Sequence, residues 1–150
     1  MTMDRESELN IARDAPVAAE FLAGRGGCLH ESLQSDPDAW WAQMHPAAEP
    51  AETFFARISW SEYPGAPPSV KFATTLRGTL SDPTAWPVVT GYRPTQLDIC
   101  MPFTAEGFAL HPDWASTNQA WTGHGNPFLA VVRELQRSLN SLSYEGRYRP

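Results

Sequence analysis

At 150 residues, with 42% hydrophobic side chains, the chain has the size and composition of a single soluble domain built around one core. Its 17 acidic and 11 basic residues give a formal charge of −6 with no Lys/Arg cluster, which argues against capture of nucleic acid or an anionic membrane by charge. The opening segment MTMDRESELN is acidic where a secretory signal is basic and then apolar, and no apolar run approaches the roughly 20 residues that span a bilayer, so a cytoplasmic location is expected.

The first predicted element is a helix from Asp4 to Ala23, with apolar positions Leu9, Ile11, Ala12, Val17, Ala18, Phe21 and Leu22. The Asp14-Ala15-Pro16 triplet predicts an interruption or restart, with Pro16 in a first turn, and Gly24 predicts the stop. CLHESL, AWWAQMH and TFFARISW follow, alternating or rich in aromatic and β-branched residues and bounded by Gly, Pro or Asp. They read as three strands of a meander. SVKFAT supplies a fourth, with Val70 and Phe72 on one face and Lys71 on the other.

Between the third and fourth strands lies YPGAPPSVKF. Proline fixes its own φ, lacks a backbone donor and pushes the preceding residue into extended geometry. Tyr63-Pro64 and Pro67-Pro68 therefore predict a stiff elbow outside the ladder, with Tyr63 and the prolines packing it beside the fourth strand and Trp60 and Phe72 contributing to the core. Residues 76 to 98, punctuated by Gly78, Pro83, Pro87, Gly91 and Pro94, read mainly as loop leading to LDICMPF. In NPFLAVVRELQRSLN, Asn126 is the expected N-cap and Pro127 the first helical residue, and Phe128, Val131, Val132, Leu135 and Leu139 form one apolar stripe.

Two cysteines, Cys28 and Cys100, match no zinc or redox spacing and are expected to be free thiols in a reducing compartment. Cys28, opening a strand after Gly26-Gly27, is expected to serve packing. Cys100 is open to two readings, a buried small hydrophobe or a nucleophile.

The sequence FFARISWSEYPGAPPSVKF resembles the Tyr-Pro-x-x-Pro-Pro-x-Val-x-Phe segment of the ubiquitin-conjugating enzyme family through Tyr63, Pro64, Pro67, Pro68, Val70 and Phe72. The resemblance extends over nearly the whole chain in the order of its elements. DICMPF puts Cys100 where that family carries its active cysteine in an Ile-Cys-Leu setting, and Trp121 and Val131-Val132 match the tryptophan and the aliphatic pair of the following helix. There are also departures. The family's His-Pro-Asn triplet would fall near Thr90-Gly91-Tyr92, so its histidine and asparagine are missing. The stretch from Cys100 to Trp121 is longer than the family's, and the two further C-terminal helices of many members have no counterpart.

The resemblance implies a divergent, bacterial version of the fold. Its class is α+β: an N-terminal helix, a four-stranded antiparallel meander, a cysteine-bearing loop and a C-terminal helix packed on the sheet, all in one domain over residues 1–150. It further implies that Cys100 accepts the C-terminal glycyl group of a ubiquitin-like modifier from an activating enzyme as a thioester, then passes it to an amine of an acceptor protein. Neither metal nor organic cofactor is implied. Sulfur suits such a carrier because a thioester stays electrophilic and its thiolate leaves readily.

Around Cys100, His111 in LHPDW and His124 in TGHGNP are candidates to deprotonate the thiol or orient the amine, and solvated loop positions are the alternative. Asp98 and Asp113 are candidates to help an attacking lysine, although Asp98 also suits a turn hydrogen bond. Asn126 is a candidate oxyanion donor, with helix capping as the favoured reading. Cys100, His111, Asp113 and His124 can be assembled on paper into a metal site, but their spacing fits no compact ligand pattern. The rival function is a catalytically inactive module of the same fold that binds a ubiquitin-like protein, a reading supported by the missing triplet.

Overall fold

Helix α1 (Arg5–Ala23) starts where the Asp4 carboxylate accepts the Ser7 amide at 2.8 Å, a backbone hydrogen bond that holds Asp4 below the usual carboxylate range. These coordinates are a computed structural model describing residues 3–150. Ile11, Ala15, Ala18 and Leu22 recur at helical spacing and are all buried. At the far end the Gly24 amide donates to the Glu20 carbonyl.

The expected break at Asp14-Ala15-Pro16 is absent: one helix runs through Pro16. A proline here deprives the Ala12 carbonyl of its donor, but Ala12 and Pro16 are both exposed, where water can serve that carbonyl. Asp14 is only 5% exposed and turns inward.

The meander is as expected. Strands β1 (Cys28–His30), β2 (Ala39–Met44), β3 (Phe54–Ser59) and β4 (Ser69–Ala73) pair antiparallel in chain order. The register aligns Ala42, Ala56 and Phe72 in one row and Trp40, Ile58 and Val70 in the next. Along β3, Phe54, Ala56 and Ile58 are buried and the residues between them half-buried, so one face of the sheet is core.

The elbow after β3 buries Trp60 and Tyr63, whose rings meet edge to face at 4.7 Å, and the Tyr63–Pro64 peptide is cis. Beyond β4 the passage is mainly irregular, as expected, with a 3₁₀ turn at Pro83–Ala85. It closes in a short hairpin not anticipated from sequence, β5 (Tyr92–Arg93) against β6 (Asp98–Ile99). Two further unanticipated pieces follow, helix α2 (Ala105–Leu110) and a 3₁₀ turn at Pro112–Ser116.

Helix α3 (Pro127–Leu139) begins as its sequence predicts, with the Asn126 side chain accepting the Leu129 amide at 2.9 Å and Pro127 first. Its Phe128, Val131, Val132, Leu135 and Leu139 are buried. Phe128 meets Trp40 of β2 edge to face and also packs on Trp60, so α3 lies on the core face of the sheet beside α1. The last residues fold back along the 86–88 segment: the Val88 amide donates to Gly146 and the Tyr148 amide to Trp86, each at 2.8 Å. Among the described residues no helix is long and apolar enough to cross a membrane.

Candidate functional site

Cys100 owes its position to the β5–β6 hairpin. Tyr92 opposes Ile99 and Arg93 opposes Asp98, and the Cys100 amide continues the ladder by donating to the Gly91 carbonyl at 2.7 Å. Period-two alternation puts Tyr92 and Ile99, both buried, on the core side, and Gly91, Arg93, Asp98 and Cys100 on the other. The hairpin is thus pinned by its apolar face while its opposite face carries the thiol. Cys100 is partly exposed, so it is not the sealed small hydrophobe that one reading of the sequence allowed.

Asp98 grips Arg93 through two hydrogen bonds of 2.7 Å each, from Nε and from Nη2. That bond raises the guanidinium pKa, and nearby Cys100 adds a smaller effect of the same sign. The Asp98 carboxylate is therefore engaged with a cation next to the cysteine. Gly91, directly across the ladder from Cys100, has φ +90°, and a Cβ there would come within 2.8 Å of Met101 Cγ.

On its other side α2 begins at Ala105, five positions after Cys100. Thr104 caps that helix, its hydroxyl donating to the Ile99 carbonyl at 2.7 Å and accepting the Gly107 amide at 3.0 Å. Gly107 sits so close to Met101 that a Cβ would lie 2.2 Å from the Met101 carbonyl oxygen. The first turn of α2 reaches β4: Glu106 accepts from Ser69 Oγ and from the Val70 amide and lies 3.8 Å from Lys71 Nζ. Lys71 in turn donates to the Leu97 carbonyl at 2.7 Å. Cys100 is consequently held between two pieces, hairpin and α2, each anchored to the same edge strand.

The other candidates are distributed differently. His111 ends α2, exposed, with its ring stacked on Trp114 at 4.5 Å between centroids. Asp113 is exposed in the following turn. His124 is exposed between Gly123 and Gly125, in a segment that rests on the elbow, where Trp121 Nε1 donates to the Pro64 carbonyl at 2.8 Å. Among the described residues no hydrogen bond joins the Cys100 side chain to His111, His124 or Asp98.

Asn126 caps α3 and also donates to the Asp14 carbonyl at 3.1 Å, so both ends of its amide are used. Cys28, expected to serve packing, is exposed on the outward face of the sheet's free edge strand and contributes nothing to the core. Among the described residues, no three of the His, Cys, Asp and Glu side chains gather in an arrangement that would hold a metal.

The sequence alone assigned no part in the site to Arg93, Gly91, Thr104 or Gly107. A signal was present for two of them: Thr104 followed by Glu106 is a cap with an acidic first turn, and TAEGFAL is a legible short helix. Chemically, the arrangement offers a thiol on a partly exposed residue, mounted on a paired hairpin near a guanidinium. Compared with protein-family models, curated proteins and solved structures, the chain matches none.

Proposed function

We propose that this chain is a ubiquitin-conjugating-like carrier and transferase that holds a ubiquitin-like modifier on Cys100 as a thioester. The observation that carries the reading is the mounting of Cys100: partly exposed, directly after a hairpin locked to the core by Tyr92 and Ile99. In the first step the Cys100 thiolate attacks the thioester carbonyl of the activated modifier, a new C–S bond forms, and the donor's sulfur leaves as thiolate. In the second, an acceptor amine attacks, a C–N bond forms, the C–S bond to Cys100 breaks, and the amine's proton passes to solvent or to the departing sulfur. His111, His124 and Asp98 are held in reserve as assisting groups.

A second reading has a specific observation in its favour. The Asp98 carboxylate is occupied by Arg93, and neither histidine is hydrogen-bonded to the thiol, which suits a non-catalytic module of the same fold that binds a ubiquitin-like protein. A peptide ending in Gly-Gly as the thioester of a small thiol separates the two. Transfer to protein should give a reductant-labile adduct that is lost in Cys100→Ala; association without any adduct supports the binding module.

A further inference from the structure

A cavity lined by residues of α1, β1 and β2 and the segments beside them includes none of the residues around Cys100. It is a trench of about 590 Å³ between the flank of α1 and the β1–β2 end of the sheet. Ala12 and Ala19 of α1 form one wall, and Leu29 of β1 and Trp40 of β2 the other. These two sheet residues are half-buried.

Two features of the trench narrow its occupant. The first is length: along α1 its wall runs from Glu8 to Ala19, about 16 Å at 1.5 Å per residue, or three helical turns. A volume of this size spread over three turns suits a row of side chains from one helix face better than a compact metabolite. The second is charge. The charged residues lining it are Glu8 and Glu31, both acids, with no cation among the lining groups. Arg5 reaches Glu8 at 3.5 Å, but both are substantially exposed, which makes the pair weak, and no ion pair among the described residues engages Glu31.

We infer that this trench is a docking site for an amphipathic helix of a partner protein, one whose apolar face is flanked by lysine or arginine. The apolar row fills the space between Ala12, Ala19, Leu29 and Trp40, and the flanking cations meet Glu8 and Glu31 across the rim. Burial supplies most of the affinity, and the charges select the partner.

The test uses the intact chain and two synthetic helical peptides with the same leucine face, one with lysine flanks and one with glutamate flanks. Binding is followed by backbone amide shifts, with Ala12→Trp to fill the trench and Glu8→Gln/Glu31→Gln to strip the rim. All these positions are on or near the surface, and thermal unfolding confirms that each variant folds. The lysine peptide should bind, moving resonances of Ala12, Ala19 and Leu29. Ala12→Trp should weaken it by about tenfold or more, and the rim variant by several-fold with reduced salt sensitivity. The inference is overturned by an absence of binding, by equal binding of the glutamate peptide, by binding that survives Ala12→Trp, or by shifts in the same residues caused by self-association.

Discussion

The Tyr63 hydroxyl, at the elbow, donates to the buried Asp14 carboxylate of α1 at 2.5 Å. The same oxygen accepts the Phe128 amide at the start of α3, at 3.1 Å, so one phenol joins the elbow to both long helices. Burial, and then the hydrogen bond to Asp14, raise the Tyr63 pKa, keeping it protonated as the donor. Arg13 completes the set from the solvent side, 3.0 Å from Asp14.

Tyr63→Phe keeps the ring packing against Trp60 and removes only the oxygen. It leaves the buried Asp14 carboxylate with Arg13 alone as a donor and the buried Phe128 amide without its acceptor, at a cost of about 1–3 kcal/mol. Urea unfolding of the two proteins measures this directly. A loss below about 0.5 kcal/mol, the range of an ordinary surface substitution, contradicts the role given to this phenol.

The C-terminal segment is clasped by Arg147, which meets Glu52 at 2.7 Å, the Thr53 carbonyl at 2.6 Å and the Thr84 carbonyl at 3.0 Å, and lies over the Phe54 ring. The hydrogen bond from Arg147 is the main cause that lowers the Glu52 pKa. A lowered folded-state carboxylate stabilises the protein above its unfolded value, and that contribution disappears as pH falls through the folded value. Glu52→Gln is therefore less stable than the parent at pH 7, and the gap narrows as pH falls below about 4.3. Unfolding midpoints of both proteins across that range test it; a gap independent of pH contradicts it.

Gly107→Ala improves helix propensity by about 1 kcal/mol, so propensity alone says it should stabilise. The Met101 carbonyl, 2.2 Å from the added methyl, says the reverse. Undocking α2 loosens the segment that follows Cys100, so we expect a net loss of about 1–3 kcal/mol and faster alkylation of Cys100 by iodoacetamide. Greater stability in the alanine variant contradicts the close approach described.

The strands and α3 were legible in the sequence because each carries a strong local pattern: Phe54, Ala56 and Ile58 at period two, Phe128 to Leu139 at helical spacing behind an Asn-Pro start. Pro16 misled because local rules treat proline as a break, whereas tertiary burial of Ile11, Ala15, Ala18 and Leu22 holds one helix through it. Asp14 is a partner of Tyr63, forty-nine positions away, which no local pattern encodes. The hairpin at Cys100 has two residues per strand, too few for periodicity to register, and its Arg93–Asp98 pairing follows from the turn between them. Cys100 stands out in the sequence as a candidate; its mount on Tyr92 and Ile99, and the employment of Asp98 by Arg93, are not legible there.

The central claim is that Cys100 is an acyl carrier, and site-mapped mass spectrometry after exposure to the Gly-Gly peptide thioester tests it most directly. Cys28 is the control, since it is the more exposed of the two thiols and competes for any unselective acylation. The account predicts one acyl group on Cys100, formed equally in Cys28→Ser and discharged when a primary amine is added. Acylation at Cys28 alone, or none at either sulfur, contradicts it.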